Sequence, residues 1–212
     1  MGRASVPLMG HDRMQPDGIE VRPVTPDRWP DLERLFERKG PRGGLPIPGH
    51  CWCMAWRDNQ PSRVARKDGM RALVGAGRRP GLLAYRDGRP VGWVSVSPRP
   101  ELGRLTRSPK LRPPDEDAEN VHAIVCFFVD VDERGSGVAT ALLDAAVGAA
   151  RAAGASAVEA YPKQDLAPHA RAGGRAEENY SFMGRRRSFE ERGFSAVREA
   201  GTRTVMRLEL ST

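Results

Sequence analysis

The stretch from Val121 to Tyr161 constrains the fold more than any other part of the chain. Val121–Val131 (VHAIVCFFVDV) is a near-continuous apolar run. A short run without polar alternation fits a strand covered on both faces. Arg134–Thr140 is a turn carrying Gly135 and Gly137. Val138–Ala153 then reads as a helix, with Val138, Ala141, Leu142, Ala145 and Ala149 on one stripe. Arg151 sits in its last turn and Gly154 follows as the cap. Ala157–Tyr161 (AVEAY) is the next strand. Strand, helix and strand in that order predict a parallel pair with a right-handed crossover.

The turn at the head of that helix carries chemistry. The first N–H groups of a helix have no internal acceptor, and the helix dipole directs its positive end at the turn. Glycines there remove the side chains that keep a phosphate away from the backbone. The spacing therefore predicts an anion site, more specifically a pyrophosphate site, at Gly135, Ser136, Gly137, Val138, Ala139 and Thr140, with Arg134 adding charge or anchoring the turn. Two other readings compete. Gly135 and Gly137 match the first two glycines of a dinucleotide fingerprint, and Glu159 lies at about the right distance beyond. Thr140 stands where that fingerprint needs a third small residue, and no further βαβ unit follows. The second competitor is a glycine turn that merely joins strand to helix. A Walker A loop is excluded, since no Gly-Lys-Ser/Thr is present.

The rest of the chain fits around this unit. Met1–Asp17 reads as a loose tail, leaving residues 18–212 as a single domain. Ile19–Val24 is a short strand, and Thr25 and Pro26 open a helix running to about Lys39. Gly40–Gly49 is a loop. Ser62–Arg79 is a second helix with Val64, Met70, Leu73 and Val74 inward. Gly81–Tyr85 and Val91–Ser97 form a hairpin around Asp87-Gly88. Pro98–Asn120 and Gln164–Asn179 read as irregular. Phe182–Arg192 is helical, and Ala196–Val197 and Thr204–Leu210 supply the last strands.

Charge enters at this point. The formal net charge is +7, and 30 of the 34 basic residues are arginine, the four lysines being Lys39, Lys67, Lys110 and Lys163. Such a balance suggests an anionic partner: nucleic acid, membrane surface or a phosphorylated small molecule. No apolar run reaches the roughly 18 residues of a membrane helix, and Met1–Gly18 has no signal-peptide segment. Nucleic-acid binding is the weaker reading, because basic and aromatic residues are not interleaved. Three cysteines are too few for a disulfide framework, so the expected compartment is the cytoplasm.

The central unit resembles the GNAT superfamily of acetyl-CoA-dependent N-acetyltransferases. The family pattern Arg/Gln-x-x-Gly-x-Gly/Ala is matched by Arg134, Gly137 and Ala139, with Val129 at the expected spacing and Val131 replacing a frequent proline. Phe189-Glu190-Glu191-Arg192-Gly193-Phe194 looks like the family's late helix, and Val205–Leu210 like its last strand. The resemblance implies an α/β fold, a mixed central sheet flanked by helices. It also implies acetyl-CoA as donor, its pyrophosphate on the Gly135–Thr140 amides and its pantetheine arm along the backbone of Phe127, Phe128 and Val129. One freed N–H there would polarise the acetyl carbonyl. The partner is a small-molecule or peptide amine attacking directly; a homodimer is compatible with the family, and neither a nucleic acid nor a membrane is implied.

Acid and base are less defined by the residues. The family often carries a Tyr where this chain has Phe189. Tyr161 and Tyr180 are substitutes by type, and His122 and Glu159 are the candidate bases. Each has an ordinary structural reading too: an amphipathic tyrosine, or a paired carboxylate in a buried strand. A non-catalytic acyl-CoA-binding or regulatory module of the same fold is therefore the alternative function.

His50-Cys51-Trp52-Cys53 offers three metal donors, with no second pair downstream to complete a tetrahedron, so no metal is expected. Its plainer reading is an anchor in which Trp52, Met54 and Trp56 pack inward and the cysteines act as small apolar residues. In the resembled fold this region borders the acceptor, which makes Trp52, Cys53 and Arg57 candidates for shaping the substrate pocket. The acidic run Asp115–Glu119 is ordinarily a solvated loop, or else attracts a cationic amine; Arg185-Arg186-Arg187 is ordinarily a solvated helix face, or else attracts the coenzyme's phosphates.

Overall fold

A computed structural model describes residues 13–14, 18–39, 43–58, 60–111, 120–163 and 183–210. Eight strands form one sheet: β1 (Arg13–Met14), β2 (Ile19–Pro23), β3 (Gly81–Arg86), β4 (Arg89–Pro98), β5 (Val121–Val129), β6 (Ala157–Ala160), β7 (Ser195–Ala200) and β8 (Arg203–Glu209), in the order β1-β2-β3-β4-β5-β6-β8-β7. Every neighbouring pair is antiparallel except β5 and β6. The sheet is mixed, as the β-helix-β unit demands. Part of the expected tail belongs to it, since Arg13 and Met14 pair with Val21 and Glu20.

The helices are α1 (Trp29–Glu37), α2 (Ile47–Cys51), α3 (Arg63–Gly75), α4 (Gly103–Arg107), α5 (Val138–Ala152) and α6 (Arg186–Glu190). On one face, α5 and α6 pack Val138, Leu142, Ala146, Val147 and Phe189 onto Val94, Ile124, Phe127, Val158 and Met206. On the other face, α1 and α3 enclose Trp52, Trp93, Cys126 and Phe128. A third cluster beside it joins Trp56, Leu105, Ala123, Val125, Tyr161, Met183 and Val205.

Local chemistry sets several boundaries. Asp87 and Gly88 both take positive φ, 50° and 72°, the tight two-residue turn that twisted hairpins favour. Ser62 caps α3 by accepting from the Ala65 N–H at 3.1 Å. Thr25 makes no such cap; a single 3-10 turn at Pro26–Arg28 intervenes before α1.

The structure corrects some inward faces. Val64 is 64% exposed, because α3 turns Met70 and Val74 to the core. In α5 the most buried residues include Leu143, Ala146, Val147 and Ala150, while Ala145 and Ala149 lie at the margin. The alanine-rich sequence made the neighbouring stripe look equivalent. Two short helices, α2 and α4, arise where the sequence reads as loop. The late helix is shorter than expected, covering Arg186–Glu190. Tyr180, the run Asp115–Glu119 and the stretch from Gln164 to Asn179 lie outside the described residues.

Candidate functional site

The parallel pairing of β5 with β6 is brief. It runs from Val121 opposite Ala157 to Ile124 opposite Ala160. Beyond that point β5 continues to Val129, and among the described residues β4 is its remaining strand neighbour. The register also slips between Ser95 and Val96, which face Cys126 and Ile124, so Val125 is an extra, bulged residue. Bulges bend a strand and re-aim its groups. The sheet thus opens into a wedge at Val125.

One edge of that wedge is bare backbone. The Asp130 N–H donates to the Val91 carbonyl at 2.9 Å, and Val129 lies opposite Gly92. In an antiparallel ladder this fixes the alternation. The N–H and C=O of Phe127 and Val129 point away from β4 into the wedge, whereas Phe128 exchanges its bonds with Trp93. An extended ligand can pair with Phe127 and Val129 as a strand would. Phe128 contributes its side chain, beneath α1 and α3.

The wedge leads to the glycine turn. A 3-10 turn at Val131–Glu133 follows β5, capped by Asp130, whose side chain accepts from Asp132 N–H. Gly135 and Gly137 take φ of 78° and 86°, values that cost other L-residues roughly 1–2 kcal/mol. Gly137 is the N-cap of α5 and offers no side-chain acceptor. The first internal bond of the helix is Ala141 N–H to Gly137 C=O, 3.0 Å. The N–H groups of Val138, Ala139 and Thr140 therefore precede any helical acceptor. Arg134 is exposed.

The turn is held by a clamp that the sequence did not disclose. The buried Glu133 carboxylate accepts from Arg86 and from Arg89, each at 2.6 Å. Arg86 also donates to the Ser136 hydroxyl at 3.1 Å and to the Ser136 carbonyl at 3.0 Å. The Ser136 hydroxyl donates to the Glu133 carbonyl at 2.7 Å. Arg38, just past α1, pairs with Asp130 and Asp132. The arginine contacts span 44 to 94 residues, which is why no local pattern signals them. The arginines flanking the Asp87-Gly88 turn were the available hint.

Glu159 and Tyr161 are brought together, though inside the protein. Glu159 is 2% exposed and Arg99 1%. Arg99 pairs with one Glu159 oxygen, the Tyr161 hydroxyl donates to the same oxygen, and Arg207 stands 3.4 Å from the other. Arg99 also donates to the Leu111 carbonyl. Burial, followed by the charge of Glu159, pushes the Tyr161 hydroxyl well above its ordinary range. His122 stands apart at the start of β5. Burial lowers its pKa, and its Nδ1 is buried without a partner among the described residues. Phe189 lies on the opposite face, its ring 6.1 Å from Phe127 and 5.3 Å from Phe194.

The three pocket candidates are all buried. Trp52 stacks on Trp29 at 5.5 Å and meets Phe36 edge-on at 5.2 Å. Trp52 and Cys53 both adopt left-handed backbone, φ 47° and 51°, a conformation that their packing must hold in place. The Trp93 indole N–H donates to the Cys53 sulfur at 3.2 Å. Contact with Cys126, then burial, raises the Cys53 pKa. Arg57 is tied to Glu101, Ser97 and the Pro80 carbonyl, and burial lowers its pKa. Among the described residues no group of three or more His, Cys, Asp or Glu could hold a metal ion.

A parallel pair that parts before a glycine-lined helix N-terminus is an arrangement with room for backbone pairing at one end and free helix amides at the other. Comparison supplies the family. The acetyltransferase (GNAT) family profile matches residues 29–172, and the chain belongs to that family. Similar folds include the GNAT domain of Streptomyces lividans PAT (TM-score 0.54, 18% identity, covering 95% of this chain and 97% of that one). Another is yncA of Salmonella typhimurium, solved with its cofactor acetyl-CoA (TM-score 0.51, 14% identity, covering 92% and 95%). A third is an N-acetyltransferase from Staphylococcus aureus Mu50 (TM-score 0.52, 12% identity, covering 91% and 99%). At these identities the likeness is one of fold. No curated protein matches the chain.

Proposed function

We propose that the protein transfers an acetyl group from acetyl-CoA to a primary amine on a small-molecule or peptide acceptor by direct attack. The observation that carries this reading is the bare edge of β5 at Phe127 and Val129, continuous with the amides of Val138, Ala139 and Thr140. Phosphates fit the turn because its glycines are left-handed and no side chain caps the helix. Arg134, Gly135, Ser136 and Gly137 complete that end. The Phe127 and Val129 backbone would align the pantetheine arm, and a freed N–H beside the bulge would polarise the thioester carbonyl. The amine nitrogen then bonds to the acetyl carbon, the carbon–sulfur bond breaks, and the thiolate takes up the proton that the amine gives up. The products are an amide and free coenzyme A.

A primary amine has a pKa of roughly 10, so it must lose a proton first. His122 is the candidate base by its chemistry: burial disfavours the charged imidazole, and its buried Nδ1 has no partner among the described residues. Glu159 and Tyr161 are committed to Arg99 and to each other. Trp52 and Cys53 would shape the acceptor side from behind Phe128, within the same packed cluster. The free thiols of Cys51, Cys53 and Cys126 fit a reducing cytoplasm, and no helix among the described residues is long and apolar enough to cross a membrane.

A second reading, an acyl-CoA-binding module without turnover, is favoured by one observation. Phe189 is fully buried among aromatic rings, where the resembled family often has a hydroxyl. Thiol release from acetyl-CoA with a panel of amines separates the two. Release that depends on the amine supports the transferase. Tight coenzyme A binding with no release for any amine establishes the module instead.

A further inference from the structure

We propose that the acceptor carries an anionic group, and that Arg104 and Arg203 receive it beside Trp56 on the face of the sheet opposite α5. The proposal rests on the transferase reading and names the chemical class of its second substrate.

The guanidinium carbons of Arg104 and Arg203 lie 5.1 and 5.3 Å from the centre of the Trp56 ring. Both guanidinium groups lie within cation–π range of one indole, and a guanidinium offers flat donors suited to a carboxylate or phosphate. Two like charges thus flank one ring, near enough for Arg104 to act electrostatically on Arg203, and neither has an acidic partner among the described residues. The nearby carboxylates are engaged elsewhere. Glu101 pairs with Arg57 and Arg78, Glu159 with Arg99 and Arg207, and Glu199 with Arg186. Further positive charge lies close by. The Arg107 guanidinium folds over Gly103, and Lys110 approaches Gly201. Burial and the charge of Arg104 both lower the Arg203 pKa, so an arriving anion would relieve an existing repulsion.

The location links this pair to the wedge. Trp56 and Leu105 pack in one cluster with Tyr161 and with Val125, the bulged residue where the strands part. Arg203 donates to the Tyr161 carbonyl at 3.0 Å, and Tyr161 directly follows β6. The glycine turn heads α5 on the other face. A donor held there and an anionic acceptor held at Arg104 and Arg203 would approach the bulge from opposite sides. An amine whose far end is anionic, of the amino-acid or aminoalkyl-phosphate kind, fits that approach.

The test compares hexylamine, 6-aminohexanoate, 6-aminohexyl phosphate and spermidine as acceptors, read by thiol release. Wild type should show a KM for one of the anionic amines at least tenfold below that for hexylamine. The carboxylate and phosphate arms tell which anion is preferred. Arg104→Gln and Arg203→Gln should each shrink that ratio at least fivefold. Arg104 is exposed, so R104Q serves as the variant in which folding is not at stake, and a melting curve controls R203Q. A preference for hexylamine or spermidine, or an unchanged ratio in both variants, overturns the proposal. If no amine is acetylated, the transferase reading fails separately. Calorimetry of 6-aminohexanoate against hexylamine on the coenzyme A-loaded protein then decides the anion site, and equal or absent binding overturns it.

Discussion

Replacing Glu159 by Leu tests whether this carboxylate serves the fold. Glu159 and Arg99 are 2% and 1% exposed, so the change leaves an uncompensated guanidinium in the interior. Breaking a buried pair from one side costs about 3–5 kcal/mol. For a chain of this size 1 kcal/mol moves Tm by about 2–4 °C, so E159L should melt roughly 6–20 °C below wild type. The triple variant R99M/E159L/Y161F removes both charges and the hydroxyl at similar volume. It leaves the Leu111 carbonyl without its Arg99 donor, a loss of about 1–3 kcal/mol. The triple variant should therefore be more stable than E159L although it carries more substitutions. Urea unfolding at pH 7, followed by circular dichroism, measures both. The reasoning is refuted if E159L costs less than about 1 kcal/mol, or if the triple variant is the less stable. A stable E159Q that has lost all turnover would instead move Glu159 into the chemistry.

Arg86→Met releases Ser136 and half of the Glu133 clamp, so KM for acetyl-CoA should rise about tenfold, roughly 1.4 kcal/mol at 25 °C, with a smaller change in kcat. Gly137→Ala forces a side chain into φ 86°; a loss of about 1–2 kcal/mol in stability and a weaker acetyl-CoA KM are expected from melts and kinetics. Burial lowers the His122 pKa from 6.5, so the unfolded chain binds its proton first. The contribution of His122 is whole above pH 6.5 and is lost as pH falls below it, and urea titrations from pH 5 to 8 should show a shallower acid slope for H122Q. The Tyr161 hydroxyl is raised far above its ordinary range, so Y161F should leave the alkaline limb of the rate profile where it is; a shifted limb would make Tyr161 a proton donor.

The legible part of the molecule was the part built from nearest neighbours and periodic faces. The β5–α5–β6 unit, the Asp87-Gly88 hairpin and the glycine turn are written in stretches of a few residues, so their physics is visible without coordinates. The short helices α2 and α4 were not legible, because Ile47–Cys51 begins within a proline- and glycine-rich stretch and Gly103–Arg107 carries a glycine. Of the five residues read as the inward stripe of α5, Val138, Ala141 and Leu142 are buried, while Ala145 and Ala149 lie at the margin because alanines on adjacent stripes carry almost equal hydrophobicity. The wedge itself depends on where pairing stops. That point follows from the Val125 bulge and from a β6 of four residues, neither of which leaves a mark in the strand's apolar run.

Charge is where sequence and structure diverge most usefully. A net charge of +7 suggested an anionic partner, yet many arginines are internal ties: Arg99 to Glu159, Arg57 to Glu101, Arg86 and Arg89 to Glu133, Arg38 to Asp130. Arginine suits that work because its planar fork satisfies a carboxylate with two donors. The charge that matters for ligands is what remains after those pairings, and its placement is informative. Arg134 stays exposed at the glycine turn, while Arg104 and Arg203 flank Trp56, which packs in one cluster with the bulged Val125. If both sites act as proposed, the positive charge left unpaired among the described residues at the glycine turn and at Trp56 would serve two anionic substrates that meet through their uncharged ends, a thioester from one side and an amine from the other.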